Sequence, residues 1–276
     1  MTNTTISVLP LVVAAGLFAG SASAQDCKPS GQYQTVEPGK LTVAATTYAP
    51  FSYLGSDGTL QGVDGDIVNA IAKRECLKVY PIATEPSAAI QYILTGRADV
   101  STGDWYRTVQ RAQVVNLSDP LYTDEMGIYS KEGYSSVDDF KDKSVGTVQG
   151  YLWVADLQKL LGADLKLYPN SSALSRDLQA GRIDVGVDGY ASGRYAQAKG
   201  GFQGLQIKVA KPDKRVDATR RAAQAGLPIS KSNAGLTKAI DRDIAAFHKD
   251  GTIKSILTAN QLDPSAADVG KPRLVE

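Results

Sequence analysis

Short apolar runs alternate with amphipathic stretches along most of the chain. Leu41-Thr42-Val43-Ala44-Ala45 is continuous enough for a buried strand, and Tyr48-Ala49-Pro50-Phe51 breaks it. Ser56-Asp57-Gly58 has the composition of a turn. Ile67, Val68, Ile71 and Ala72 then share one helical face, with Asp64 or Asp66 as the expected cap. Leu77 to Ile82 predicts a second strand. Ala89, Ile90, Ile93 and Leu94 mark a second helix that Gly96 ends. Further strands are expected at Val114-Val115, Met126 to Tyr129, Leu165 to Tyr168, Ile183 to Val187 and Leu205 to Val209. Helices are expected over Tyr151 to Leu161, Ala173 to Ala180 and Tyr190 to Lys199. Leu236, Ile240, Ile244 and Phe247 form a last helical stripe, closed by Asp250-Gly251. Alternation of this kind predicts an α/β fold with mostly parallel sheets wrapped by helices.

The pattern also echoes itself. Ile93 to Val100 reads I-L-T-G-R-A-D-V, and Leu178 to Val185 reads L-Q-A-G-R-I-D-V. Each is a helix end, a Gly-Arg turn and a strand start. Any βα protein repeats such turns, but four identical positions favour two lobes of similar topology.

The first 24 residues carry no charged side chain. Val8 to Gly20 is apolar, and Ala22-Ser23-Ala24 is a small-x-small signal. This segment reads as a secretory signal peptide (1–24) cleaved after Ala24, although Met1 to Ser7 lacks the usual basic residue. The run is too short for a membrane span of ~30 Å. Cys27 and Cys76 are the two cysteines, and an exported chain can join them in a disulfide. Ala24-Gln25-Asp26-Cys27 is not a lipobox, so lipid attachment is not expected.

With 43% hydrophobic and 21% charged residues, the whole chain has the balance of a soluble globular protein. A formal net charge of +1 gives no basic field for nucleic acid. A single histidine, His248, leaves little room for a histidine-based metal site or triad, and no metal or cofactor is expected.

In open α/β sheets, ligands bind beyond the carboxyl ends of strands. The strand at Asp99 to Ser101 leads into Thr102 to Arg111, and the strand at Asp184 to Val187 leads into Asp188-Gly189-Tyr190. If two lobes face each other, Arg111 and Thr108 stand near Asp188. An arginine fork binds a carboxylate and an aspartate binds an ammonium group, so together they suit a zwitterion. Singly, each has a plainer reading: a solvated surface arginine, and an aspartate capping a helix.

Tyr48-Ala49-Pro50-Phe51 followed by Gly62-Val63-Asp64-Gly65-Asp66 resembles the opening of family 3 periplasmic solute-binding proteins, those for polar and basic amino acids. So do Gly96-Arg97-Ala98-Asp99, Thr108-Val109-Gln110-Arg111 with Ser118-Asp119-Pro120, Val145 to Gly150, Gly181 to Asp184 leading to Asp188, and Asp250-Gly251-Thr252. The resemblance runs from about Leu41 to Leu262. It implies a two-lobe clamshell joined by two hinge strands. Lobe 1 would comprise 25–122 and 220–276, and lobe 2 residues 123–219. Hinges are expected near Thr123 to Gly127 and Thr219 to Leu227. By similarity, Arg111 and Thr108 would hold an α-carboxylate, Asp188 an α-amino group, and Tyr48 would stack on the ligand. N–H groups after Gln149-Gly150 would open a helix toward the carboxylate.

Several positions depart from that pattern. Gly103-Asp104-Trp105-Tyr106 replaces a small, hydroxylic stretch, and Tyr151-Leu152-Trp153 replaces small hydroxylic residues. Pro86 stands where an aromatic ring is usual, and Ala45 where an acid is. Aromatic residues are only 7% of the chain, yet Tyr48, Trp105, Tyr106, Tyr151 and Trp153 cluster in the site segments, with either Trp105 or Tyr106, and Trp153, expected in the core. Asp104 could pair with Arg111 or Arg107, or could face a cationic ligand such as a basic amino acid, an opine or an amine.

The expected function is therefore the binding component of an ABC importer. It would be a periplasmic monomer that hands a small amino-acid-like solute to an inner-membrane permease. Two other readings use the same clamshell. A cyclohexadienyl-dehydratase-like enzyme needs a placed acid or base, but no glutamate lies between Glu132 and Glu276, and His248 looks peripheral. A ligand sensor docked on a membrane receptor would read the same from sequence.

Overall fold

The computed structural model describes residues 1–2 and 27–275. The expected signal peptide and its cleavage site fall on residues 3–26, outside the described residues.

Two five-stranded sheets organise the chain. In the first, Lys40–Thr46 pairs in parallel with Lys78–Thr84 on one side and Val100–Thr102 on the other. In the second, Val145–Val148 pairs in parallel with Leu165–Tyr168 and Val185–Gly189. Each sheet thus repeats one order, with its first parallel strand between its two parallel partners. The sequence echo has a physical counterpart here. Gly96 and Gly181 both sit at positive φ after a helix, and the aspartates that follow do the same work. Asp99 accepts the Thr42 N–H at 2.8 Å, and Asp184 accepts the Ser144 N–H at 2.8 Å.

The sheets are less parallel than the alternation suggests. Met126–Ser130 runs antiparallel to both Val185–Gly189 and Gln206–Val209, and Pro228–Ile229 runs antiparallel to its neighbours. These strands enter directly from a two-stranded crossing, Thr123–Asp124 against Ala223–Gln224, rather than through a helical crossover, so they arrive in the opposite direction. Val114 and Val115 do not form a strand. Val114 ends the helix Val109–Val114, which Thr108 caps by accepting the Arg111 N–H. Asp64 and Asp66 are not the cap of their helix. Val63–Arg74 starts from Gly62 without a side-chain cap.

Residues that flank the sheets tie down the ends. Cys27 and Cys76 form a disulfide with Cα atoms 5.7 Å apart. Buried Glu75 accepts the Ser30 N–H and the Tyr33 hydroxyl, at 3.0 and 2.7 Å. At the other end, residues 269–275 lie across the crossing strands. Gln224 Nε2 donates to the Val269 and Lys271 carbonyls. Val275 exchanges backbone hydrogen bonds with Arg107 and Val109, at 2.9 Å each.

Candidate functional site

The carboxyl ends of the parallel strands in both sheets converge on one cleft. Its free space is small, about 30 Å³. Tyr48, Gly103, Asp104, Trp105, Tyr106, Arg111, Tyr151 and Leu152 line it, together with Thr46, Pro86 and Trp153. Thr46 went unremarked in the sequence, although it lies two residues before Tyr48. Trp153 faces the cleft from the N-cap of the helix Val154–Leu161. It is also buried, its indole N–H bonded to Thr147 Oγ1 at 2.7 Å. Trp105 is anchored the same way, on Ser101 Oγ at 2.9 Å. Both Trp105 and Tyr106 are buried and both line the cleft, and of the two it is Tyr106 that packs in an apolar core cluster.

The rings form a connected wall. Tyr48 meets Tyr151 with centroids 5.8 Å apart, Tyr151 meets Trp153 at 5.5 Å, and Trp153 meets Tyr106 at 6.1 Å, all edge to face. Gly103, at φ 137°, brings the backbone close behind this wall. A Cβ there would collide with Thr46 Oγ1.

The two halves touch across the cleft. The Tyr48 hydroxyl donates to Asp188 Oδ1 at 2.9 Å and accepts the Gly189 N–H at 3.0 Å. Ser192 Oγ donates to the Ala49 carbonyl at 2.6 Å, and Arg111 Nη2 to the Gly150 carbonyl at 3.2 Å. Three residues expected at the ligand are placed differently. Asp188 is buried behind the Tyr48 hydroxyl instead of facing Arg111. Gln149 is exposed, with its N–H on the Tyr168 carbonyl. Thr108 is a buried helix cap that borders an adjoining surface groove. The helix expected to open at Tyr151 begins at Val154. The Tyr151 N–H turns back to the Val148 carbonyl, because Tyr151 and Leu152 direct bulky side chains into the cleft from a turn after Gly150.

Two further buried carboxylates, Asp64 and Asp124, pack near Asp104. Asp64 accepts the Gly103 and Asp104 N–H groups at 2.8 and 2.9 Å and the Tyr122 hydroxyl at 2.6 Å. Asp124 accepts the Tyr106 hydroxyl at 3.1 Å and the Ala191 N–H at 3.2 Å. Asp104 holds the left-handed conformation, φ 54°, and its buried Oδ1 has no hydrogen-bond partner. Burial first, then the Asp124 and Asp64 carboxylates, hold Asp104 well above the usual carboxylate range. Burial pushes Asp188 up to about 6, against the hydrogen bonds it accepts. Burial also draws the Arg111 guanidinium down to about 10, so it stays cationic at neutral pH. Among the described residues no group of three metal-ligating side chains is placed to hold an ion.

The raised Asp188 sets a pH dependence. Its folded pKa lies above the unfolded value of about 3.9. Its contribution to stability is therefore full below about pH 4 and lost as pH rises through about 6, up to roughly 3 kcal/mol. Urea unfolding of ligand-free wild type and Asp188→Asn from pH 4 to 7 measures it. Wild type should lose stability relative to the variant as pH rises. Parallel curves would remove Asp188 from the linkage.

A family model, bacterial extracellular solute-binding proteins of family 3, matches residues 41–260. The lysine/arginine/ornithine-binding periplasmic protein of Escherichia coli K12 is 29% identical over 221 residues, 75% of this chain and 81% of its own length. An L-cystine-binding protein of the same strain is 27% identical over 255 residues, 89% of this chain and 91% of its own. Among solved structures, an ancestral arginine-binding protein bound to arginine superposes with a TM-score of 0.70 at 27% identity, covering 80% of this chain and 97% of its own.

Proposed function

This chain belongs to the bacterial extracellular solute-binding proteins of family 3, and we propose that it captures a small amino-acid-like solute in its interlobe cleft for an ABC importer. The observation that carries the reading is the cleft itself. Two sheets of matching order aim their carboxyl ends at one aromatic-walled space, lined by one arginine, Arg111, and one buried acid, Asp104, with the Asp64 and Asp124 carboxylates packed near Asp104. That arrangement binds and encloses. A solute of basic amino-acid, opine or amine type fits its charge. The relatives named above are binding proteins, not enzymes. In this reading lobe 1 is 25–122 with 220–276, lobe 2 is 123–219, and the signal peptide is cut after Ala24. The mature monomer works in the periplasm and docks on an inner-membrane permease.

The crossing pair Thr123–Asp124 and Ala223–Gln224 supplies the hinge. Ligand shifts the hinge equilibrium toward closure only by its greater affinity for the closed form. Tyr48, which bonds both Asp188 and Gly189 across the cleft, is the residue that senses closure. Arg111 reaches from the first lobe to the Gly150 carbonyl of the second and reinforces it.

A thermal-shift screen of the mature protein against amino acids, opines and amines tests the reading. A true ligand at 100 times its Kd should add about 2.7 kcal/mol of stability. If the whole panel leaves the transition unmoved, the proposed function fails.

A further inference from the structure

We infer that the cleft selects its ligand by positive charge: an organic cation sits on the Asp104 carboxylate within the rings of Tyr48, Trp105, Tyr106, Tyr151 and Trp153, and no ligand carboxylate is required. This rests on the binding-protein reading above and deepens it.

Asp104 is 8% exposed, lines the cleft, and leaves Oδ1 without a partner. A buried carboxylate with no cation beside it is costly, by several kcal/mol after relaxation. Arg111 lies near enough to feel the Asp104 charge, but no arginine is paired with it. Arg107 donates from Nε to the Ser118 carbonyl and from Nη1 to the Arg273 carbonyl and Gln224 Oε1. Arg111 donates from Nη1 to the Tyr106 carbonyl at 2.6 Å and from Nη2 to the Gly150 carbonyl, with its guanidinium 4.7 Å over the Trp105 ring. Neither forms an ion pair with Asp104 among the described residues.

The other charged groups facing Asp104 are acids. Asp64 and Asp124 have committed oxygens to backbone N–H groups and tyrosine hydroxyls. Asp104 alone keeps an oxygen open. A zwitterion would add no net charge to this excess of carboxylates and would set its own carboxylate close to Asp104. An ammonium, guanidinium or quaternary amine neutralises the excess, and aromatic faces attract it as well. Burial and its acidic neighbours hold Asp104 well above the usual carboxylate range, so a cation that binds its ionised form favours release of a proton.

Calorimetry on the mature protein tests this with two matched pairs, arginine against agmatine and lysine against cadaverine, and with glutamate and glutamine as controls. At least one decarboxylated amine should bind within about tenfold of its parent amino acid or tighter, with proton release that varies with buffer ionisation enthalpy. Asp104→Asn, whose amide tolerates the same left-handed backbone, should weaken that amine at least about tenfold. It should release no proton and leave the melting temperature equal or higher. A merely structural Asp104 would instead lower that temperature. Both amines binding more than about tenfold below their parents would overturn the inference. So would tightest binding to glutamate or glutamine, or full affinity in Asp104→Asn; the binding-protein reading survives all three. Silence from every probe, including the wider panel, overturns both.

Discussion

Asp64→Ala is expected to cost about 4 kcal/mol of stability and to abolish ligand binding. Asp64 is 2% exposed and takes no part in capping its own helix. Its two oxygens gather the Gly103 and Asp104 N–H groups and the Tyr122 hydroxyl. Removing the acceptor strands three donors in a buried site, each worth ~1–3 kcal/mol when unsatisfied, with partial recovery as water enters. The same loss frees residues 103–104, whose positive φ values place the Asp104 carboxylate in the cleft. Urea unfolding gives the stability, and hydrogen exchange at 103 and 104 reports the loop. Asp64→Asn keeps one acceptor oxygen and should lose about half as much. A loss under ~1 kcal/mol in Asp64→Ala, with the loop amides still protected, would show that Asp64 does not hold the loop.

Separating Cys27 from Cys76 should be as costly. The bond spans 49 positions, and closing a loop of that length stabilises by ~4 kcal/mol when it acts through the entropy of the unfolded chain. Its native-state effect is local. It holds the lead-in where Ser30 and Tyr33 bond buried Glu75 and where the Val36 N–H bonds Asp99. The double Cys27→Ser, Cys76→Ser variant should unfold at lower urea while binding ligand with unchanged affinity, because neither residue lies near the cleft. A stability loss under ~1 kcal/mol, or a change in affinity, would contradict this account.

The frame was largely legible from the chain. Period and turn chemistry located most strands and helices, and the Gly-Arg-x-Asp echo corresponds to two sheets of the same order. The sense of Met126–Ser130 was not legible, since an apolar run does not reveal whether its strand enters through a helix or through a direct crossing. The site was legible in composition more than in geometry. Tyr48, Asp104, Tyr106, Arg111 and Tyr151 were all singled out and all line the cleft. What their side chains bond was hidden. Arg107 and Arg111 spend their donors on backbone carbonyls, and a carbonyl has no signature in residue identity. Asp188 shows the same limit. Its position after a strand was readable, but the Tyr48 hydroxyl that covers it comes from 140 residues away.

Residues 269–275 lie beyond the family match, which ends at 260, and brace the crossing strands through Gln224 while Val275 pairs with Arg107 and Val109. None of them lines the cleft. Under the hinge reading proposed above, substitutions there would change the energy needed to swing the lobes apart without altering a residue that lines the cleft. Observed affinity contains that energy, because only the competent fraction of molecules binds. On that reading, how tightly this protein holds its solute and which solute it chooses would be set largely on separate stretches of chain. A lineage moving between scarce and plentiful surroundings can retune the first by drift in a short tail, with the second inherited intact.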